Sequence, residues 1–235
     1  MNTELTQEAN IDEPHLRLDR SDWDEIYIIG DVHGCRATLE RLLGATEPTR
    51  NDLVVFVGDL VRKGPDSKGV LDLVRSHPNY HTVRGNNEQK LVDGRKSIAT
   101  LTEDDLNYLD SLPVVISWDD AIVVHGGIDH RKPFAEHTLT ELLNTRSLVP
   151  DASYERPYWF ETRRESPRVF FGHTVLAEPF TSEYAVGLDT GCVYGGQLTA
   201  YDYRGRELIA VEPPETYQPR SADSIVEPRQ APSQS

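Results

Sequence analysis

The chain has 235 residues, of which 39 are acidic and 24 basic, giving a formal net charge of −15. This length accommodates one substantial domain with a hydrophobic core, or at most two small ones, and we favour one. The acidic excess is spread along the chain. It argues against a broad nucleic-acid-binding face and is typical of a protein from a high-salt cytoplasm. Cys35 and Cys192 make no disulfide framework and are predicted to be small buried residues.

The two ends of the chain differ in composition from the middle. The N-terminal residues lack the basic start and apolar core of a signal peptide, and no apolar run approaches the roughly 20 residues of a membrane span. We therefore expect a cytoplasmic protein. We predict a flexible arm over residues 1–22, a folded domain over residues 23–212 and a disordered tail, rich in Pro, Ser, Gln and Glu, over residues 213–235.

The segment around Asp31 predicts a strand that ends in a possible cation site. Residues 26–29 are apolar and β-branched or aromatic, which predicts a buried strand, and Gly30 marks a sharp turn. Asp31 and His33 are two residues apart, so both side chains can point to one side and face a single cation. Taken alone, the pair fits a turn and a helix cap equally well.

The same strand, turn and helix pattern recurs twice. A strand over residues 52–57 ends at Asp59, and a strand over residues 80–84 leads to Asn86; each precedes a helical pattern. Repetition of this unit predicts parallel strands whose carboxyl ends lie along one edge, where open α/β sheets bind their ligands.

The second half of the chain is predicted to be richer in strands. A hairpin, residues 114–118 and 121–124, leads into His125, and residues 169–171 form a strand that leads to His173. Three further strands, around residues 184–188, 197–201 and 208–211, are predicted to form an antiparallel meander.

Residues 130–165 form an irregular insert. Four of its aromatic side chains either shape access to a site or fill a small separate core: Tyr154, Tyr158, Trp159 and Phe160.

Six residues at strand ends are candidate metal ligands: Asp31, His33, Asp59, Asn86, His125 and His173. Each alone could equally cap a loop or form an ordinary hydrogen bond. Together, two Asp, three His and one Asn suit two divalent cations bridged by a carboxylate. Asp59 is the expected bridge, with Asp31 and His33 holding one cation and the other three residues holding the second.

These residues stand in motifs that resemble the five motifs of the calcineurin-like metallophosphoesterases of the phosphoprotein phosphatase superfamily. The motifs are Gly30-Asp31-x-His33-Gly34, Gly58-Asp59-x-x-x-Lys63-Gly64, Gly85-Asn86-Asn87-Glu88, His125-Gly126-Gly127 and Gly172-His173. Residues 60–67 and 188–200 are similar to the branch that holds bacterial diadenosine tetraphosphatases and bacterial-type serine/threonine phosphatases. The resemblance implies an α/β fold, a β-sandwich flanked by helices in four layers (α/β/β/α). It also implies two divalent metals, with manganese expected first and iron or zinc as alternatives, and attack on phosphorus by a metal-bridging hydroxide.

The chain departs from the family at the position of the general acid. Protein phosphatases follow the Asn ligand with a His and orient that His with an Asp in the second motif; this chain has Asn87 and Arg62 there. The tetraphosphatases lack the Asp but keep the His. We retain Asn87, with Asp59 and Lys63, as a candidate catalytic residue. His130 or a metal-bound water is an alternative proton donor.

Lys63, Arg84 and Asn86 are the candidate substrate contacts, and Arg163 or Arg164 could reach in from the insert. The resemblance supports Lys63, whereas the arginines could equally form structural salt bridges.

The missing acid makes the leaving group decisive. A serine alkoxide must be protonated to leave, whereas a phosphate leaves as an anion whose last pKa is about 6. We therefore predict hydrolysis of a phosphoanhydride such as a dinucleoside polyphosphate. The alternatives are a protein serine/threonine phosphatase and, outside the enzymes, a metal-binding interaction module without catalysis. The expected partner is a phosphorylated small molecule or a phosphoprotein, with no membrane contact, and the oligomeric state is not predicted.

Overall fold

The computed structural model describes residues 13–150 and 153–229, and its strands form two sheets. The strands are β1 (His15–Arg17), β2 (Ile26–Ile29), β3 (Leu53–Phe56), β4 (Tyr80–Thr82), β5 (Val115–Trp118), β6 (Ala121–Val124), β7 (Arg168–Phe171), β8 (Phe180–Thr181), β9 (Ala185–Gly187), β10 (Leu198–Asp202) and β11 (Glu207–Val211). One sheet has the order β1-β5-β6-β7-β9-β8 and the other β11-β10-β2-β3-β4.

The helices cover the outer faces of the sheets. They are α1 (Arg36–Thr46), α2 (Ser67–Arg75), α3 (Asn86–Val92), α4 (Glu103–Ser111), α5 (Leu139–Asn144) and α6 (Trp159–Thr162). Helix α4 begins with a capped turn, with the Thr102 hydroxyl accepting a bond of 3.2 Å from the Asp105 amide. No described helix is long and apolar enough to cross a membrane.

Alternation along the strands builds three apolar layers. In β2, Ile26 and Ile28 face the sheet that contains β6 and β7, where they join Val123 and Phe170. Ile29 points the other way and packs under α1 and α2. A third cluster joins the outer face of β6 and β7 to α5 and α6. The result is the expected four-layer α/β/β/α sandwich.

The predicted parallel arrangement is confirmed. β2 pairs in parallel with β3, and β3 with β4; in the second sheet β6 pairs in parallel with β7. The carboxyl ends of these strands lie at one end of the sandwich.

The predicted meander is correct only for its last two strands, because β10 and β11 pair antiparallel whereas β9 lies in the other sheet. β9 pairs in parallel with β7, while β10 crosses to the other sheet and pairs with β2 and β11. The crossing segment contains Gly191 and Gly195, both in the left-handed region at φ 73° and 87°. Alternating apolar residues predict each strand but do not specify which sheet it joins.

Both terminal segments differ from the prediction where the structure describes them. β1, within the predicted arm, pairs in parallel with β5. Residues 213–229, within the predicted disordered tail, lie along the domain, and Val226 is 4% exposed and bridged to Leu176. Residues 1–12 and 230–235 lie outside the described residues. Cys35 and Cys192 are buried and free, as expected.

Candidate metal centre and active site

The six predicted ligands come from both sheets and meet at one end of the sandwich. Asp31 and His33 follow β2, Asp59 follows β3 and Asn86 begins α3. His125 and His173 follow β6 and β7 of the other sheet. All but Asn86, which is partly exposed, are at most 6% exposed.

The backbone is strained at three of these positions. His33, Asp59 and His173 have φ values of 51°, 53° and 63°, in the left-handed region that residues other than glycine rarely adopt. Such conformations cost of order 1–3 kcal/mol each and concentrate at functional sites. The backbone before His173 also lies unusually close to Asp31, since a Cβ on Gly172 would lie 1.9 Å from Asp31 Oδ1.

Asp59 lies at the centre of the cluster. Its Oδ2 is 3.6 Å from Nε2 of His33, and its Oδ1 is 3.4 Å from Nε2 of His125. One oxygen thus lies near each of the two imidazoles, an arrangement that would suit a carboxylate bridging two cations. Ligand atoms of Asp31, Asp59 and His125 all lie within 4.8 Å of one another.

Two of the three histidines, His125 and His173, are oriented to offer a lone pair to a cation. The Val57 carbonyl lies 2.8 Å from Nδ1 of His125 and fixes the proton there, so Nε2 is left as the acceptor. Nε2 of His125 and Nε2 of His173 are buried without a hydrogen-bond partner among the described residues. Buried polar atoms are nearly always paired, so these two nitrogens fit metal ligation.

Several carboxylates also lie close together in this cluster. Burial, with the nearby Asp189 and Asp59 carboxylates, raises the pKa of Asp31 well above its ordinary value. Burial and the Lys63 ammonium lower the pKa of His33 to about 3, so its imidazole is neutral at neutral pH. Buried carboxylates beside neutral imidazoles form a donor set that divalent cations stabilise.

Asn87 is hydrogen-bonded into this cluster. Its side-chain nitrogen donates to Asp59 Oδ2 and, at 3.0 Å, to Asn86 Oδ1, and its oxygen accepts from Nη1 of Arg62. Asn86 in turn donates to Asn144 of α5 at 3.3 Å. Arg62 and Asn87 therefore contact each other at the two positions where the family's acid pair is expected.

Glu88 holds the ligand loops and was given no role from the sequence. It is fully buried; its Oε2 accepts from the amides of Asp59 and Gly85, each at 2.8 Å, and its Oε1 from the amide of Val61 at 3.1 Å. The signal was present, because an acid three residues after a helix N-cap forms a capping box.

Asp189 was also missed as a site residue. It follows β9, so the strand-end pattern that marked the ligands could have marked it, and it is 2% exposed beside Asp31.

Of the predicted substrate contacts, Lys63 lies in the site whereas Arg84 is turned away from it. Lys63 Nζ is 2.8 Å from Nε2 of His33, inside the cluster. Arg84 instead donates to Gln89 at 2.9 Å and to the carbonyls of Asp110 and Leu112 at the end of α4, which favours the structural alternative.

The insert arginines are likewise used elsewhere. Arg163 bonds Glu165 and the Pro167 carbonyl, and Arg164 bonds the carbonyls of Glu161 and Arg163. His130 lines a separate cavity of about 230 Å³ that none of the six ligands lines.

The insert supplies a different arginine to the site. Nη2 of Arg146 donates to the His173 carbonyl at 3.2 Å, and its guanidinium lies 5.1 Å from the ring centre of Tyr154. Tyr158, Trp159 and Phe160 fill the core, so only Tyr154 of the four aromatics faces this way. Arg146 lies in an irregular loop, and no sequence pattern marked it.

Comparisons with known proteins agree with this geometry. Residues 25–188 match the family model for calcineurin-like phosphoesterases. The asymmetrical bis(5'-nucleosyl)-tetraphosphatase PrpE of Oceanobacillus iheyensis is 28% identical, over 80% of this chain and 92% of that protein. Serine/threonine-protein phosphatase 1 of Salmonella typhimurium is 28% identical, over 80% of this chain and 96% of that protein.

A solved structure is similar over nearly its whole length. The crystal structure of a protein assigned provisionally as a diadenosine tetraphosphatase has a TM-score of 0.76 and 32% identity, covering 85% of this chain and 98% of that one. The family uses a dinuclear divalent metal centre, and the buried group of Asp31, Asp59 and His125 fits one. The chain therefore belongs to the calcineurin-like phosphoesterase family and is a metal-dependent hydrolase of phosphate ester or anhydride bonds.

Proposed function

We propose that the protein hydrolyses a phosphoanhydride, such as a dinucleoside polyphosphate, with two divalent ions held by the six ligand residues. Manganese is the ion to test first, with iron and zinc as alternatives, because Asp, His and Asn suit several first-row metals. When bound, the ions supply an activated water as nucleophile and neutralise phosphoryl oxygens.

The observation that carries this proposal is the contact between Arg62 and Asn87. A side-chain amide does not release a proton near neutral pH, and an arginine guanidinium keeps its proton throughout the physiological pH range. Neither can protonate a leaving alkoxide. The remaining N–H groups of Arg62 can donate hydrogen bonds to an oxygen that leaves as an anion, which is what anhydride cleavage requires.

The other side chains of the site hold the metal ligands in place and orient the substrate. Asp59 is fixed by Asn87, whose backbone amide donates to its Oδ1 at 2.8 Å. Glu88 fixes the loop that carries Asp59. Lys63, beside His33, places a cation where the reacting phosphoryl group binds.

Relatives support both this function and one alternative. The Oceanobacillus relative is named as a tetraphosphatase, which favours the anhydride. The Salmonella relative is named as a serine/threonine phosphatase, and a protein phosphatase is therefore the second candidate.

An assay panel separates the two. At molar salt with added manganese, the chain is given diadenosine tetraphosphate, inorganic polyphosphate, a phosphoserine peptide and para-nitrophenyl phosphate, with Asp59→Asn as the blank. Fast anhydride cleavage without phosphopeptide turnover supports the proposal. Efficient phosphopeptide turnover that the blank abolishes contradicts it and supports a protein phosphatase.

The setting proposed for this activity is a cytoplasm of high salt. The net charge of −15 supports it, because salt screens the repulsion among the carboxylates. Activity and folding are then expected to hold at molar salt.

A further inference from the structure

The end of the described chain crosses the mouth of the candidate site. We call residues 213–229 the C-terminal strap. Its Gln218 donates from the backbone to the Val193 carbonyl at 3.0 Å and from the side chain to the Lys63 carbonyl at 3.0 Å. Further along, Val226 donates to the Val175 carbonyl at 2.8 Å, two residues beyond His173. The strap is thus fixed to the loops on two sides of the site.

Between these two attachments the strap places Arg220 beside two tyrosines. Nη2 of Arg220 donates to the Tyr154 hydroxyl at 2.8 Å, and Nε donates to the Ser224 carbonyl at 3.0 Å. The guanidinium lies 4.5 Å from the ring centre of Tyr194. These contacts use only two of its five N–H groups, and the others have no hydrogen-bond partner among the described residues.

Arg220 is one of three neighbouring cations. Lys63 Nζ lies 5.2 Å from the same Tyr194 ring centre, so the two charges are no more than about 10 Å apart. Arg146 stacks on the Tyr154 ring whose hydroxyl Arg220 bonds. We call Lys63, Arg146 and Arg220 the cation arc.

The cation arc is unusual in so acidic a chain. Among residues 13–150 and 153–229, none of its three members forms an ion pair with a carboxylate, although 39 residues of the chain are acidic. Burial and the charge of Arg220 lower the pKa of Arg146, whereas Tyr154, Asp189 and Asp31 act to raise it. Neighbouring cations that form no direct ion pair with a carboxylate can bind an anion.

We propose that Arg220 binds the non-reacting phosphates of a polyphosphorylated substrate and that the C-terminal strap is a specificity element. This rests on the proposed function and narrows it to substrates with several phosphates in a row. Lys63 lies against the metal ligands and serves the reacting phosphate. A monoester has no second phosphate to reach Arg220, so the residue discriminates in favour of longer chains.

The test uses competitive inhibition of para-nitrophenyl phosphate hydrolysis, with manganese in excess of the inhibitors. Inhibition constants are measured for orthophosphate and for methylene-bridged triphosphate, which is not cleaved. In Arg220→Gln, we expect the constant for the triphosphate to rise about 10-fold more than the constant for orthophosphate, because a charged hydrogen bond is lost. Arg220→Lys keeps the charge and should retain most of the discrimination.

Arg206→Gln, on the exposed turn between β10 and β11, is the matched control and should leave both constants as they are. Tyr154→Phe should shift the ratio in the same direction as Arg220→Gln by a smaller factor. An unchanged ratio in Arg220→Gln, or an equal change in Arg206→Gln, would overturn the role of Arg220. The proposed function fails separately, if the unmodified protein does not cleave diadenosine tetraphosphate.

Discussion

The two ends of the sandwich hold their charged groups in opposite ways. At the metal end, Asp31, Asp59 and His125 are buried against one another, and two imidazole nitrogens have no hydrogen-bond partner among the described residues. The opposite end has a cavity of about 350 Å³ with four arginines among its lining residues: Arg20, Arg168, Arg204 and Arg206. This cavity exceeds the one beside His130, yet its charged groups are mostly paired.

Pairing at the opposite end is specific. Arg20 lies 3.7 Å from Asp119 and 3.5 Å from Asp120, and Arg168 donates to the Tyr201 hydroxyl at 3.2 Å. Arg204 donates to the Trp23 carbonyl at 2.7 Å. The comparison teaches that buried, crowded and unpaired groups mark chemistry better than cavity size does.

The largest expected effect comes from removing the charge of Asp59, the proposed bridging carboxylate. Asp59→Asn should lower metal-dependent hydrolysis by more than about 100-fold, because ligand substitutions affect metal affinity and transition-state charge together. Asp120→Asn, at the opposite end, should stay within a factor of about two. Steady-state kinetics and calorimetric titration with manganese measure both. Similar losses in the two variants would remove the contrast between the ends.

Two glycine substitutions, one at the metal end and one in α1, test how closely the metal end is packed. Gly172→Ala places a Cβ against Asp31, and we expect a loss of about 10-fold in kcat/KM and about 1–3 kcal/mol in the free energy of unfolding. Gly44→Ala, in α1, meets nothing within 4 Å and should stabilise by about 0.5–1 kcal/mol. Chemical denaturation gives both values, and a fully active Gly172→Ala would show that the Asp31 position tolerates displacement.

Restoring the general acid found in the family tests whether its absence restricts the leaving group. Asn87→His combined with Arg62→Asp should raise turnover of the phosphoserine peptide about 10-fold, at the low end for general acid catalysis because the new pair is not preorganised. Asn87→His alone should gain less, since Arg62 disfavours a protonated imidazole. Flat turnover in the double variant would leave the argument from leaving-group acidity without support.

The smallest effect concerns α5, whose Asn144 contacts Asn86. Burial acts to raise the pKa of Glu141, but bonds from Lys132 and Thr138 outweigh it and lower the pKa to about 2. A lowered pKa stabilises the fold above the unfolded value of 4.5 and loses that contribution as the pH falls from 4.5 to 2. Glu141→Gln should therefore lower the free energy of unfolding by up to about 1 kcal/mol at pH 7, because solvent screens the interaction, and should leave it unchanged near pH 2. Thermal unfolding across this pH range measures it, and a difference that persists at pH 2 would contradict it.

Local patterns were enough to predict where the strands end and hence where the candidate ligands cluster. Runs such as 26–29 and 169–171 are apolar and short, and a polar residue after each falls at the sheet edge by geometry alone. What local patterns could not give was pairing between distant segments. β1 beside β5, β9 beside β7 and the strap beside Val175 depend on contacts across many residues of chain.

The same limit applies to the cations of the site. Arg84 ends a strand as the ligands do, but its length lets the guanidinium turn away to α4. Arg146 and Arg220 reach the site from irregular segments that carry no periodic signal.

Because the candidate ligands are divided between the two sheets, metal binding and folding are thermodynamically linked. A cation that contacts Asp59 from one sheet and His173 from the other binds only when the sheets are packed together. Each tenfold excess of free metal over its dissociation constant then adds about 1.4 kcal/mol to stability per site. The melting temperature should accordingly rise with metal concentration, and a cell short of the metal would lose folded protein as well as activity.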